Sequence, residues 1–171
     1  MHQKLSTNYL AGYPASLITQ VEALIVANRI ADYLLQKYPD SHNIRTNKSL
    51  YDYVLTLKNQ YLRNVGHLSK VEFDSKLYVI KNALGTHTNI SRTQGNKLKT
   101  KSEIRIATLF KTMPLAFLRM IVAHELAHTN HHDHDKSFYQ LCQHLAPDYV
   151  LLEFELRVYL TYLGAGGKPL W

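Results

Sequence analysis

His124-Glu125-Leu126-Ala127-His128 constrains this chain more than any other stretch. Residues four apart in an α-helix lie one turn apart on the same side, so two imidazoles at this spacing reach one ion only if the segment is helical. The apolar stretch Phe117-Leu118-Arg119-Met120-Ile121-Val122 stands directly before it. Phe117, Ile121, His124 and His128 fall on one face at steps of four, three and four. That face begins in the core, which predicts partly buried imidazoles. Buried, unpaired imidazoles are costly, and a metal ion gives them partners. Zinc accepts imidazole nitrogen at ~2.0–2.1 Å in a roughly tetrahedral shell. Glu125, one position on, is turned toward the edge of such a site. There it can take a proton from the attacking water instead of ligating.

Two histidines leave the site incomplete, because a catalytic zinc usually has three protein ligands and one open position. His134 is the first candidate for the third. It lies ten residues after His124, the interval of the pattern H-E-x-x-H-x-x-G-x-x-H. His131 occupies the glycine position of that pattern, and no methionine follows the motif, so the metzincin Met-turn is missing. The turn then falls to Asn130, with residues 131–133 bridging. Glu153 or Glu155 would instead give a His₂Glu arrangement. His131 and His132 lie close to the helix end and are poorly placed to fold back. Asp133 and Asp135 read as loop residues or as partners that orient the ligands. Cys142, on an apolar face, reads as core.

Along the rest of the chain, Pro14 and apolar spacing predict a helix over 14–38, stopped by Pro39. A second is expected over 48–64. Alternation at Val71 and Phe73, then at Leu77 and Val79, suggests a hairpin turning at Asp74-Ser75-Lys76. Glu103 to Ala107 alternates as an edge strand would, a place where an extended peptide could pair. Gly85 and Gly95 punctuate loops. The helix that carries the histidines is expected to start near Thr112, which could cap it, with Pro114 in the first turn, and to stop at Asn130 in a left-handed cap. Further helices are expected over 137–145 and 147–163, with Gly164 as the stop and a loose tail over 164–171.

Length and composition fit one compact domain of 171 residues, 46% hydrophobic. The lone Cys142 excludes an internal disulfide. No secretory signal and no membrane span is visible, so the expectation is a cytoplasmic protein with no membrane partner. Twenty Lys and Arg against 13 acids give +7, dense only at Arg92, Lys97, Lys99, Lys101 and Arg105. This favours anionic partners, including weak nucleic-acid contact through a basic surface.

The segment IVAHELAHTNHHDHDKSFYQLCQHLAPDY resembles the YgjP-like metal-dependent hydrolases: H-E-L-A-H, then five residues, then His134, then a polar step into the aromatic-bearing Asp135-Lys136-Ser137-Phe138-Tyr139. LKNQYLRN, VIKNALGTHT, SRTQGNKLKTKSEIRIATLF and PLAFLRMIV extend the likeness over nearly the whole chain. The motif is also similar to that of SprT-like zinc peptidases. Some of those relatives carry an R-W-G-S-C-type stretch where this chain has Ser91-Arg92-Thr93-Gln94-Gly95. The resemblance implies an α+β, zincin-like single domain over 1–171: N-terminal helices, a small central, mostly antiparallel sheet, the HExxH helix, and C-terminal helices. It implies zinc on His124, His128 and His134, with Glu125 as base.

The expected function is a zinc-dependent hydrolase, a metallopeptidase first, with peptide or protein as substrate. The alternative, which the resemblance to the YgjP-like proteins implies, is a pyrophosphatase acting on nucleoside triphosphates, UTP in particular, from the same metal. A third reading is a non-enzymatic, metal-stabilised nucleic-acid module, against which the intact Glu125 argues. The oligomeric state is not legible.

Overall fold

The computed structural model describes the backbone of residues 8–77, 85–94 and 97–171, and the side chains of residues 8–77 and 102–171. The architecture is α+β. The element order is α1 (Ala15–Val26), α2 (Ile30–Lys37), α3 (Asn47–Tyr61), β1 (Leu68–Asp74), β2 (Gly85–Gln94), β3 (Lys97–Ala107), a 3-10 turn (Thr108–Lys111), α4 (Leu115–Ala127), α5 (Lys136–Leu145) and α6 (Tyr149–Gly164).

The helix expected over 14–38 is two helices. Asn28 has φ 55°, the left-handed conformation that asparagine tolerates best after glycine. Its N–H bonds to the Ile25 carbonyl, and the Arg29 N–H to that of Leu24, the paired bonds of a Schellman stop. α3 opens with a capping box in which Thr46 and Ser49 exchange side-chain and backbone bonds.

The strands form one sheet in the order β1-β3-β2. β1 pairs with β3 in parallel, from Leu68↔Ser102 to Asp74↔Ala107. β2 pairs with β3 antiparallel, from Gly85↔Ile106 to Gln94↔Lys97. The parallel pair is a departure from the mostly antiparallel expectation. It also makes β3 the central strand, so Glu103 to Ile106 is paired on both sides and offers no free edge. The turn after β1 exists: Asp74 Oδ1 accepts the Lys76 N–H at 2.8 Å. The strand it was expected to lead into, through Val79, lies outside the described residues, as does Gly95. Asp74 also takes Arg105 Nη1 at 3.2 Å, and these two contacts hold its carboxyl below the usual range.

α3 packs on β1, and α4 packs against β2, α5 and α6. Phe110, Phe117, Leu118, Ile104, Ile106 and Phe138 are fully buried where these layers meet. Pro114, not Thr112, stands at the head of α4, and no side chain caps it. The tail is docked instead of loose. Gly166, at φ 94°, ends α6 in a second Schellman stop, with Gly166 N–H on Leu163 and Gly167 N–H on Tyr162. Trp171 then packs on Phe117 and Tyr159, and its indole N–H donates to the Tyr38 carbonyl at 2.8 Å. Among the described residues no helix is long and apolar enough to cross a membrane.

His42 ties the loop before α3 to the segment that leads into α4. Its Nε2 faces the Phe110 carbonyl at 2.7 Å, and its Nδ1 accepts the Ile44 N–H at 3.0 Å. The Nδ1 contact requires the neutral ring, and burial lowers its pKa below the ordinary value. A folded pKa below the unfolded one adds stability above the unfolded value of about 6.5, and that stability is lost as pH falls through the folded pKa. His42→Ala is therefore expected to cost about 1–3 kcal/mol at pH 7.5, and less at pH 5. Urea unfolding at both pH values checks this, and an equal cost at both would contradict it.

Candidate metal centre

α4 brings His124 and His128 to one side, one turn apart, as the spacing predicts. The helix ends at Ala127. His128 to Asn130 form a turn that closes through the Asn130 and His131 N–H groups on the Ala127 carbonyl. Asn130 is not left-handed, so the stop works through this turn and not through an asparagine cap. The chain then runs back past the helix end and delivers His134. Asp135 caps α5 by accepting the Phe138 N–H at 2.8 Å, which fixes the chain just after His134.

His128 Nε2 lies 3.2 Å from His124 Nε2 and 3.1 Å from His134 Nε2. One nitrogen from each of the three rings falls within 4.8 Å of the others, and among the described residues this is the group able to hold a metal ion. Tetrahedral ligands at ~2.0–2.1 Å stand about 3.3–3.4 Å apart, close to the spacing found. Proton placement points the same way. His128 Nδ1 faces the His131 carbonyl at 2.9 Å, and a carbonyl only accepts. The proton therefore sits on Nδ1, and the bare Nε2 lone pair is aimed at the other two rings. With Nε2 of His124 and His134 also free of protons, three lone pairs would face one another at this distance and call for a cation between them. The donor set thus fits a metal, and three imidazole nitrogens suit zinc.

Phe138, fully buried, forms the floor. Its ring centre lies 5.0 Å from that of His124, 4.6 Å from that of His128 and 4.7 Å from that of His134. Burial, with the two neighbouring imidazoles adding to it, pushes the His124 pKa down to about 3. The ring stays neutral and its lone pair free. Glu125 is 2% exposed, deeper than the histidines beside it. Burial pushes its carboxyl up to about 8. A cation in the cluster would favour the carboxylate again, by opposite charge at short range.

The other sequence candidates lie elsewhere. His132 is exposed, and His131 contributes its carbonyl rather than its ring. Glu155 is buried on the far side of α6, taking Tyr33 at 2.6 Å, Lys37 at 2.6 Å and the Tyr38 hydroxyl. Glu153 pairs with Arg157 at 3.3 Å. Burial pushes the Cys142 thiol up to about 12, the mark of an inert core residue. Arg105 is engaged by Asp74 and Glu72, while the side chains of Arg92, Lys97, Lys99 and Lys101 lie outside those described. Sequence reasoning missed Tyr149, whose hydroxyl sits 2.7 Å from His124 Nδ1. The signal available was the i, i+4, i+8 spacing of Tyr149, Glu153 and Arg157 on one helix.

The class that this fold and cluster define is metallopeptidase-like: the chain belongs to the YgjP-like family, whose metallopeptidase-domain model matches residues 69–159. That span runs from β1 into α6 and takes in the whole cluster. The chain is also 52% identical, over 158 residues, to an Escherichia coli (strain K12) protein named UTP pyrophosphatase, covering 92% of this chain and 95% of that one. No solved structure matches.

Proposed function

We propose that this chain is one zincin-like domain that hydrolyses UTP to UMP and pyrophosphate, with zinc held by Nε2 of His124, His128 and His134 and with Glu125 as the base. The observation that carries the reading is the convergence of three imidazoles on one point beside a buried carboxylate. The choice of a nucleotide over a peptide rests on the relative named UTP pyrophosphatase. Zinc would supply a Lewis acid that polarises phosphoryl oxygens and makes water a better nucleophile. The protein supplies the rest. Glu125 accepts the proton of the water that attacks the α-phosphorus, then returns it to the oxygen of the departing pyrophosphate. Phe138 keeps one side of the site dry, which strengthens each charge interaction there. Lys97, Lys99 and Lys101 occupy alternate positions of β3 and are the candidates for the phosphate charge, so replacing all three by alanine should raise KM for UTP.

A peptidase would use the same four residues, and the metallopeptidase description of the family favours it. The free strand edge that the sequence suggested for peptide docking is a central strand, which removes that support. Phosphorus NMR of UTP incubated with zinc-loaded protein separates the readings. UMP and pyrophosphate are expected. Intact UTP beside a digested protein substrate would replace the nucleotide reading with the peptidase one.

A further inference from the structure

Tyr149, Glu153 and Arg157 follow one another at intervals of four along α6 and so share a face. That face lies behind His124, on the side away from the other two imidazoles. The Tyr149 hydroxyl is 2.7 Å from His124 Nδ1, and the two rings are tilted by only 18°. Beyond it, the Glu153 carboxylate acts on the hydroxyl through its charge. Arg157 Nη2 holds Glu153 Oε1 at 3.3 Å, and Arg157 Nη1 donates to the Tyr9 carbonyl at 3.1 Å. Four groups therefore stand in a row, from a backbone carbonyl to the metal cluster.

The chemistry of the groups fixes the direction of the row. With Nε2 turned to the cluster as a ligand, the His124 proton sits on Nδ1 and is donated to the Tyr149 oxygen at 2.7 Å. The Tyr149 O–H is then left for an acceptor, and the Glu153 carboxylate, which only accepts, is the anion that acts on it. The Cys142 sulfur is only a weak acceptor beside a carboxylate. His128 has its own orienting partner in the His131 carbonyl, a backbone group. His124 depends on side chains.

We infer that Tyr149 is a positioning residue of the metal centre, directed by Glu153 and Arg157, and that it locks His124 as the Nε2-ligating tautomer. The inference rests on the metal reading above. Without the hydroxyl, His124 keeps a buried N–H with no acceptor and a ring free to turn, and the ion is held less tightly.

The test is the zinc dissociation constant of the full chain, measured by competition with a chromophoric chelator at one pH. Tyr149→Phe keeps the ring and removes only the hydroxyl. Glu153→Leu removes the acceptor, while Glu153→Gln keeps an acceptor oxygen. Tyr149→Phe and Glu153→Leu are each expected to bind zinc about 10–100-fold more weakly, with Glu153→Gln close to wild type. Circular dichroism of the metal-free proteins shows which variants are folded, and Glu153→Leu carries the same prediction should Tyr149→Phe not fold. Wild-type affinity in Tyr149→Phe would overturn the inference and leave the metal reading standing. Equal losses in Glu153→Gln and Glu153→Leu would overturn the directing role of Glu153. A wild type that binds no zinc would overturn the metal reading and the inference with it.

Discussion

Glu125→Gln is expected to keep the metal and to lower kcat for UTP by about 100- to 10,000-fold. Glutamine matches glutamate in size and shape, so it fits the closed slot in which Glu125 is 2% exposed. It brings no charge and accepts no proton from water. The three imidazoles are untouched. Steady-state pyrophosphate release, beside metal content by mass spectrometry, checks both halves. A variant that turns over within about tenfold of wild type would mean that another group takes the proton. Loss of metal along with activity would mean that Glu125 supports the ion itself.

Phe117→Ala is the largest expected loss of stability, about 3–5 kcal/mol. Phe117 opens the face of α4 that ends in the histidines, and it is fully buried. Its ring packs on Tyr38 at 4.9 Å and Trp171 at 6.0 Å, so it joins the end of α2, the tail and the site helix. Alanine would leave a cavity between two aromatic groups, Tyr38 and Trp171, that are themselves fixed by hydrogen bonds and cannot collapse into it. Urea unfolding of the metal-free proteins gives the difference. A loss below about 1 kcal/mol, the size of a surface change, would contradict the role of this ring. Measuring without metal matters, because bound zinc adds its own stabilisation to the folded state.

Phe117 also shows why so much of the site was legible. A period of 3.6 joins it to His128 through Ile121 and His124, and the first two are buried as that period requires. The nearness of His134 to the other two rings is readable from its interval, since a short loop from the helix end leaves few places for the third ring. What failed were contacts made between parts distant in sequence. The parallel pairing of β1 with β3 joins Leu68 to Ser102, and nothing in the local alternation of either strand names its neighbour. Tyr149 meets His124 from 25 residues away, although its spacing with Glu153 and Arg157 was visible in α6. Asn28 was a missed local signal. An asparagine between two apolar runs can end a helix by itself, and Pro39 is not the only stop available to that segment. Trp171 belongs with the distant contacts, since the ring it packs on, Phe117, and the carbonyl its indole N–H meets, that of Tyr38, lie far from it in sequence.

The histidine cluster carries every functional conclusion, so the most direct measurement is zinc stoichiometry in wild type and in His134→Ala. One zinc per chain is predicted for the wild type, and a weakly held or absent ion for the variant, whose remaining two imidazoles leave the shell short of a ligand. A wild type that takes up no zinc, or a His134→Ala protein that holds it as tightly as wild type, would contradict the three-histidine site.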